Sequence, residues 1–361
     1  MDNIISNVLA GVPGGLWEKI IMCFEGGIGS FAVSIILLTL IIKLVMSPVD
    51  FFNRRTQKRM AYIQQRIQPQ VEAINKRYQK DEKTKNQKLG ELYQREKVNP
   101  MGSCLVMLLN LGLTLAIFIT LLNGMNAMAQ YKIASQYEQL QIAYVQEYAG
   151  ERLDLTKEGS TVYQICLPFI EEINALDETT KTQVINKANE NVKKVYNETK
   201  EGFLWIENIW LADNPFQSPI PTYSEYATVA RLDKEQKENK EYENVYNQIM
   251  NPIRDSIERP NGYFILLVIC AVTTFLNQFL VMRRTKQANQ PAKRGSGWGT
   301  IVFMTIFMSV FTLMYTTMFS IYLITGQIVG LLTMPLIELI NKAIDKHQEK
   351  KKMPTDRLKR I

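Results

Sequence analysis

The sequence predicts an all-α integral membrane protein: a five-transmembrane-helix core, a cytoplasmic antiparallel helical hairpin and a mostly helical extracytoplasmic insertion. Three observations carry this. Apolar residues are bunched into runs long enough to cross a bilayer, basic and acidic segments alternate between the runs, and the longer connections carry apolar residues at helical spacing. The mean hydropathy of the 361 residues, −0.11, conceals that bunching.

The runs occupy 28–46, 101–122, 263–282 and 299–337. A hydrocarbon layer of ~30 Å takes about 20 apolar residues to cross, so each of the first three supplies one span. The fourth is nearly twice as long and reads as two spans joined by a tight turn near Tyr315–Ser320; one over-long helix is the weaker reading. The expected order is an interfacial helix outside (1–27), the first span (28–48), the cytoplasmic hairpin (49–99) and the second span (100–123). The extracytoplasmic insertion (124–260), the third span (261–282), a cytoplasmic loop (283–297), the fourth span (298–317), the fifth (318–340) and a basic cytoplasmic tail (341–361) follow. No cleavable signal is expected, since residues 1–27 hold Asp2, Glu18 and Glu25 against the single base Lys19.

Charge sets the orientation. Residues 49–99 carry 13 Lys/Arg against 6 Asp/Glu, and the tail from Asn341 carries 8 bases and 3 acids. The loop 283–294 has Arg283, Arg284, Lys286, Lys293 and Arg294 with no acid, whereas 124–260 holds 22 acids and 14 bases. Basic segments stay cytoplasmic, which places the N-terminus outside and the C-terminus inside, an arrangement that only an odd number of spans allows. Within 49–99, Met60, Ile63, Ile67, Val71, Ile74 and Tyr78 recur at spacings of three and four, the stripe of an amphipathic helix. QKDEKTKN (79–86) makes the turn, and Leu89, Leu92 and Tyr93 form the returning arm, with a kink expected near Pro69. In the insertion, Ile133–Tyr148 and Ser224–Ile257 read as amphipathic helices.

Several kinds of chemistry are excluded. The four cysteines, at 23, 104, 166 and 270, show no paired spacing, and the lone histidine, His347, sits in a charged tail. Neither a disulfide framework nor a metal set is expected, no catalytic constellation is present, and no phosphate-binding loop suggests a nucleotide. The chain reads as a non-enzyme without cofactor.

One charge stands inside a span. Lys43 lies about 11 residues before Arg54, or ~16 Å along a helix. It is a snorkelling lysine if the span ends at Pro48 and a mid-membrane cation if the helix continues. Thr39 and Ser47 sit four residues to either side and make one polar stripe with it. The second span adds Ser103, Asn110 and Thr114, the third Thr273, Thr274, Asn277 and Gln278, and the fifth Gln327. Polar groups between spans are either interhelical ties or the lining of a wet cavity. A cation without an acid in the spans, Glu338 lying only at the inner end of the fifth, suits a cavity awaiting an anion.

These residues fall in motifs that resemble the YidC family of membrane protein insertases and its mitochondrial and chloroplast relatives. LLTLIIKLVMSPVD (37–50) resembles the family's first core span, and IQPQVEAINKRY (67–78) the start of its cytoplasmic hairpin. LYQREKVNPMGSCLVML (92–108) is similar to the junction entering the second span, and FLWIENIWLADNP (203–215) to the segment before the third. TTFLNQFL (273–280) and SIYLITGQ (320–327) resemble the third and fifth spans, so the likeness covers about 1–124 and 203–345. It implies a hydrophilic groove open to the cytoplasm and the lipid, lined by Lys43, Thr39, Ser47, Asn110, Thr114, Thr274, Asn277, Gln278 and Gln327. The groove would receive polar tails of nascent membrane proteins and release their spans sideways into the lipid bilayer. The ribosome and the general secretion channel are further expected partners; no nucleic-acid sequence is read, and the tail is by default a solvated positive-inside anchor, its sharper reading being contact with ribosomal RNA or headgroups through charge alone. A small-anion transporter or channel using Lys43, and a scaffold whose outer domain binds partners, are the alternatives. Three departures stand out: Lys43 where the family usually has Arg, Thr316-Thr317-Met318-Phe319 and Leu323 where it has Pro-Ala-Gly-Leu and Trp, and a segment 124–202 without counterpart.

Overall fold

A computed structural model describes residues 12–96, 100–156, 159–287 and 296–352. The side chains of Met60, Ser103 and Cys104, those of 284–287, residues 288–295, and the tail side chains from Asp345 onward lie outside it. The described residues fold into helices and contain no strand, only an isolated bridge between Phe203 and Ile206. Five helices are long and apolar enough to cross a membrane: Phe31–Thr56, Leu108–Arg152, Ile265–Arg283, Gly297–Met314 and Thr317–Asn341. The chain is thus an all-α multi-span membrane protein. It divides into two compact units.

One unit comprises the described parts of Met1–Leu38, Thr120–Cys270 and Ser309–Tyr322. Its first helix, α1 (Leu16–Ile28), stops at Gly29, whose φ of 74° closes the last turn through a bond from its N–H to the Glu25 carbonyl. The Trp17 indole donates to Thr120 Oγ1 at 3.0 Å. A Cβ on Gly124 would lie 3.2 Å from Trp17 Cβ, so the missing side chain is what lets α1 approach so closely. Helix α2 (Phe31–Arg77) enters with Phe31 buried edge-on against Trp210, centroids 5.2 Å apart.

The helix of the second span does not stop at its expected end, 123. It is the start of α4 (Pro100–Ala149), a 50-residue helix whose later half forms one wall of the insertion and contains the expected stretch Ile133–Tyr148. Around it pack α5 (Val162–Asn174), α6 (Glu178–Thr199), α7 (Tyr223–Val229), α8 (Lys234–Glu238) and α9 (Lys240–Arg254). The expected helix Ser224–Ile257 is broken into three, because Asp233 and Asn239 bond the amides of Gln236 and Glu241 and restart the helix each time. The core of the insertion is aromatic. Tyr246 lies 4.8 Å from Tyr137, 4.9 Å from Tyr226 and 5.6 Å from Tyr223, centroid to centroid, and donates its hydroxyl to the Pro221 carbonyl at 2.8 Å. Burial pushes the Tyr226 and Tyr246 hydroxyls well above their ordinary range.

Burial likewise pushes the Cys166 thiol up to about 12. Thiol reagents attack the thiolate, so in detergent at mildly alkaline pH a maleimide is expected to modify the exposed Cys23 and spare Cys166 until denaturant is added. Labelling of the peptide carrying Cys166 in the folded protein would contradict this packing.

The segment 201–222 is pinned without regular structure. Ile209 and Leu211 carbonyls accept from the amides of Met318 and Thr317. Asn261 accepts from the Asn208 amide and donates to the Asn208 and Ala212 carbonyls. Asp213, 1% exposed, takes the amides of Tyr263, Phe264 and Leu266 at 2.7–3.1 Å. It thereby satisfies donors at the head of α10 (Ile265–Gln287).

The other unit comprises the described parts of Thr39–Ile119, Ala271–Met308 and Leu323–Ile361. Helix α2 runs on through Pro48 and Pro69 without interruption to Arg77. The reversal is confined to 78–81, shorter than the expected 79–86, because Asp81 caps α3 (Glu82–Arg95) through the Thr84 amide at 3.0 Å. Buried Ile67 and Leu92, the Arg66–Glu96 ion pair and an Arg95–Gln70 bond of 2.7 Å tie the two arms. The exposed polar ties add little beside the apolar seam. Helices α11 (Ser296–Met314) and α12 (Thr317–Lys352) are separated by two residues, which places the turn within the expected Tyr315–Ser320.

Candidate functional site

The candidate residues all belong to this second unit, on α2, α4, α10 and α12. Because α2 stays helical past Pro48, the lysine at 43 lies in mid-helix, within the candidate span Phe31–Thr56 and 11 residues before the basic pair Arg54-Arg55. Thr39 is 1% exposed, while Lys43 and Ser47 are half-buried. Among the described residues Lys43 makes no ion pair.

Its aliphatic stem lies across α12. A Cβ placed on Gly326 would sit 3.3 Å from Lys43 Cε, 3.9 Å from Nζ and 3.9 Å from Thr39 Cγ2. Glycine costs a helix about 1 kcal/mol relative to alanine, and at 326 it leaves the space the cation occupies. Sequence reasoning missed this residue, although a glycine beside an intramembrane glutamine was the available signal.

The polar set divides in two. Thr273 and Thr274 both donate to Gln327 Oε1, at 2.6 and 2.9 Å. Asn277 Nδ2 donates to the Thr273 carbonyl at 3.0 Å and to the Gln327 carbonyl at 3.2 Å. Together they fasten α10 to α12, so Thr274, Asn277 and Gln327 already spend much of their bonding capacity on each other. Interhelical bonds of this kind are worth ~0.6 kcal/mol each, and Gln327→Leu, which removes two, is expected to cost about 1 kcal/mol of stability in detergent. Unchanged unfolding would contradict the clasp.

The remaining groups are more available. Asn110 on α4 has a buried Oδ1 with no partner, and Thr114 donates back to the Asn110 carbonyl at 2.8 Å from an exposed position. Gln278 is half-buried on α10. Asn53, ten residues after Lys43 on α2, is buried with Nδ2 unpartnered among the described residues, a second group that the sequence reading passed over. A cation that has no carboxylate partner among the described residues, and amides with unused capacity elsewhere in the same unit, can each take an anionic or hydrogen-bonding visitor. No group of His, Cys, Asp and Glu among the described residues could hold a metal.

A sequence profile of the family described as 60Kd inner membrane protein matches residues 23–346. The chain is 36% identical over 97 residues to a membrane protein insertase YidC of Fusobacterium nucleatum, covering 27% of this chain and 45% of that protein. It is 32% identical over 99 residues to a protein of the same name from Geobacter sulfurreducens, covering 27% and 18%. The Rickettsia felis counterpart is 37% identical over 95 residues, covering 26% and 16%. The matched part therefore spans less than half the length of these curated relatives.

Proposed function

Because the chain belongs to the 60Kd inner membrane protein family, we propose that it is a membrane protein insertase and chaperone, a multi-pass protein of the bacterial cell membrane. The observation that carries the proposal is Lys43, a cation with no ion-pair partner among the described residues, seated on Gly326 within a polar stripe. The names of the curated relatives support the same activity. In this reading the N-terminus and the 124–260 insertion are outside, and the 49–99 hairpin and basic tail are cytoplasmic, as the charge bias requires.

Lys43 draws the polar, often acidic tail of an incoming protein partway into the membrane. Asn110, Gln278, Thr39, Thr114 and Ser47 offer hydrogen-bonding partners, while the Thr274, Asn277 and Gln327 clasp holds the wall. Every backbone group that crosses bare lipid unpaired costs several kcal/mol, so a polar station shortens the costly path. The apolar segment of the substrate then partitions sideways into lipid, and hydrophobic transfer drives the step without a cofactor or bond chemistry. Substrates are nascent membrane proteins; the ribosome and the secretion channel would deliver them. A small-anion transporter predicts repeat-related halves, and the sequence carries no internal repeat.

Depletion of the protein, followed by tracking of a small substrate with an acidic outer tail, tests the reading. Accumulation of the uninserted substrate is expected. Normal insertion, with only anion uptake or partner binding lost, would overturn it in favour of a transporter or a scaffold.

A further inference from the structure

The aromatic residues at the head of α10 have no part in the activity proposed above. Phe216 is 89% exposed and meets Phe264 edge-on, with ring centroids 5.9 Å apart. Tyr263 is 52% exposed. Phe264 has a φ of 58°, a left-handed conformation that a bulky side chain adopts only when its surroundings impose it. The imposing group is Asp213, whose carboxylate gathers the amides of Tyr263, Phe264 and Leu266. Leu204, in the same pinned segment, shows the same combination of φ 56° and 75% exposure. Strained backbone is spent here on presenting large apolar side chains outward, the reverse of what a water-facing loop requires.

The place of this cluster in the chain identifies what covers it. α10 becomes a membrane span at Ile265, the residue after Phe264. Ile265 and Val268, three apart and so on one helix face, are both exposed, as lipid-facing residues of a span are. The aromatic pair continues that lipid-facing surface at its boundary with water. Phe gains nothing from water and Tyr263 carries a hydroxyl for headgroups, the pairing expected where a membrane interface runs.

We propose that Phe216, braced by Phe264 and flanked at the head of α10 by the exposed Tyr263, is a hook inserted in the phospholipid leaflet that borders the α10 N-terminus. It fixes the depth at which the 201–217 segment and the ends of α10 and α12 sit. The inference needs only that α10 spans the membrane, and it stands or falls separately from the insertase reading.

Photocrosslinking in vesicles of phosphatidylethanolamine and phosphatidylglycerol tests it. The full chain carries p-benzoylphenylalanine at 216 or, as a control, at the exposed α6 position of Glu190. Mass spectrometry is expected to find phospholipid adducts on the 216 peptide at a yield severalfold above the control. A second variant, Phe216→Asp with the probe at 263, is expected to lower the adduct at 263 while unfolding in detergent stays unchanged. Crosslinks at 216 to protein alone, or lipid adducts no more abundant than at 190, would overturn the proposal.

Discussion

Replacing Lys43 by alanine is expected to slow insertion of a substrate with an acidic tail by about ten- to a hundredfold. A hydrogen bond to a charged group contributes ~1.5–3 kcal/mol, and each 1.4 kcal/mol is about tenfold. The sign of the stability change separates this role from a structural one. A lysine within a span costs ~2.5–3.5 kcal/mol on insertion scales, and among the described residues Lys43 has no ion-pair partner to strand. Lys43→Ala is therefore expected to leave unfolding in detergent unchanged or raise its midpoint, while activity falls. Lys43→Arg keeps the charge and is expected to retain activity, although its planar fork meets a carboxylate differently. Gly326→Leu fills the space beside Cε and Nζ and is expected to reproduce part of the alanine defect without removing the charge. Equal activity of all three variants would return Lys43 to the snorkelling class.

The largest stability effect is expected at Asp213. Its buried carboxylate serves three amides at the head of α10. Asp213→Ala leaves those donors without a partner, and each stranded donor costs ~1–3 kcal/mol, so the loss is expected to reach ~3 kcal/mol or more. Gly262→Ala should be comparably harmful, since its Cβ would fall 1.9 Å from Asp213 Oδ1. Thermal unfolding of the variants in detergent measures both. Midpoints within a degree or two of the parent would show that the carboxylate is not what holds the third span to the 201–217 segment.

Much of this architecture was legible because membrane crossing is a one-dimensional constraint. Run length yielded five spans, and even the two-residue turn between α11 and α12 fell within the expected interval. Where helices end was less legible. Pro48 read as one of two candidate ends of the span and Pro69 as a kink, yet α2 stays helical through both; the carbonyl four residues before a proline loses its donor and can be met by neighbouring groups. The polar stripe of Thr39, Lys43 and Ser47 follows from periodicity within one helix. Which polar groups meet across helices does not, so Gln327 read as lining although it ties α10 to α12. Asp213 gave no local signal either: its three amides lie 50 to 53 residues away, and the strained Phe264 depends on it.

In the proposed function the charge at position 43 selects the tail it receives. A charge-reversal pair tests it most directly: Lys43→Glu is assayed in membranes against one substrate bearing an acidic tail and one in which those acids are replaced by lysines. Like charges repel and opposite charges attract at this site far more strongly than in water. The expected result is loss of insertion for the acidic tail and recovery for the basic one. Failure of both substrates alike, or indifference of both, would contradict the account.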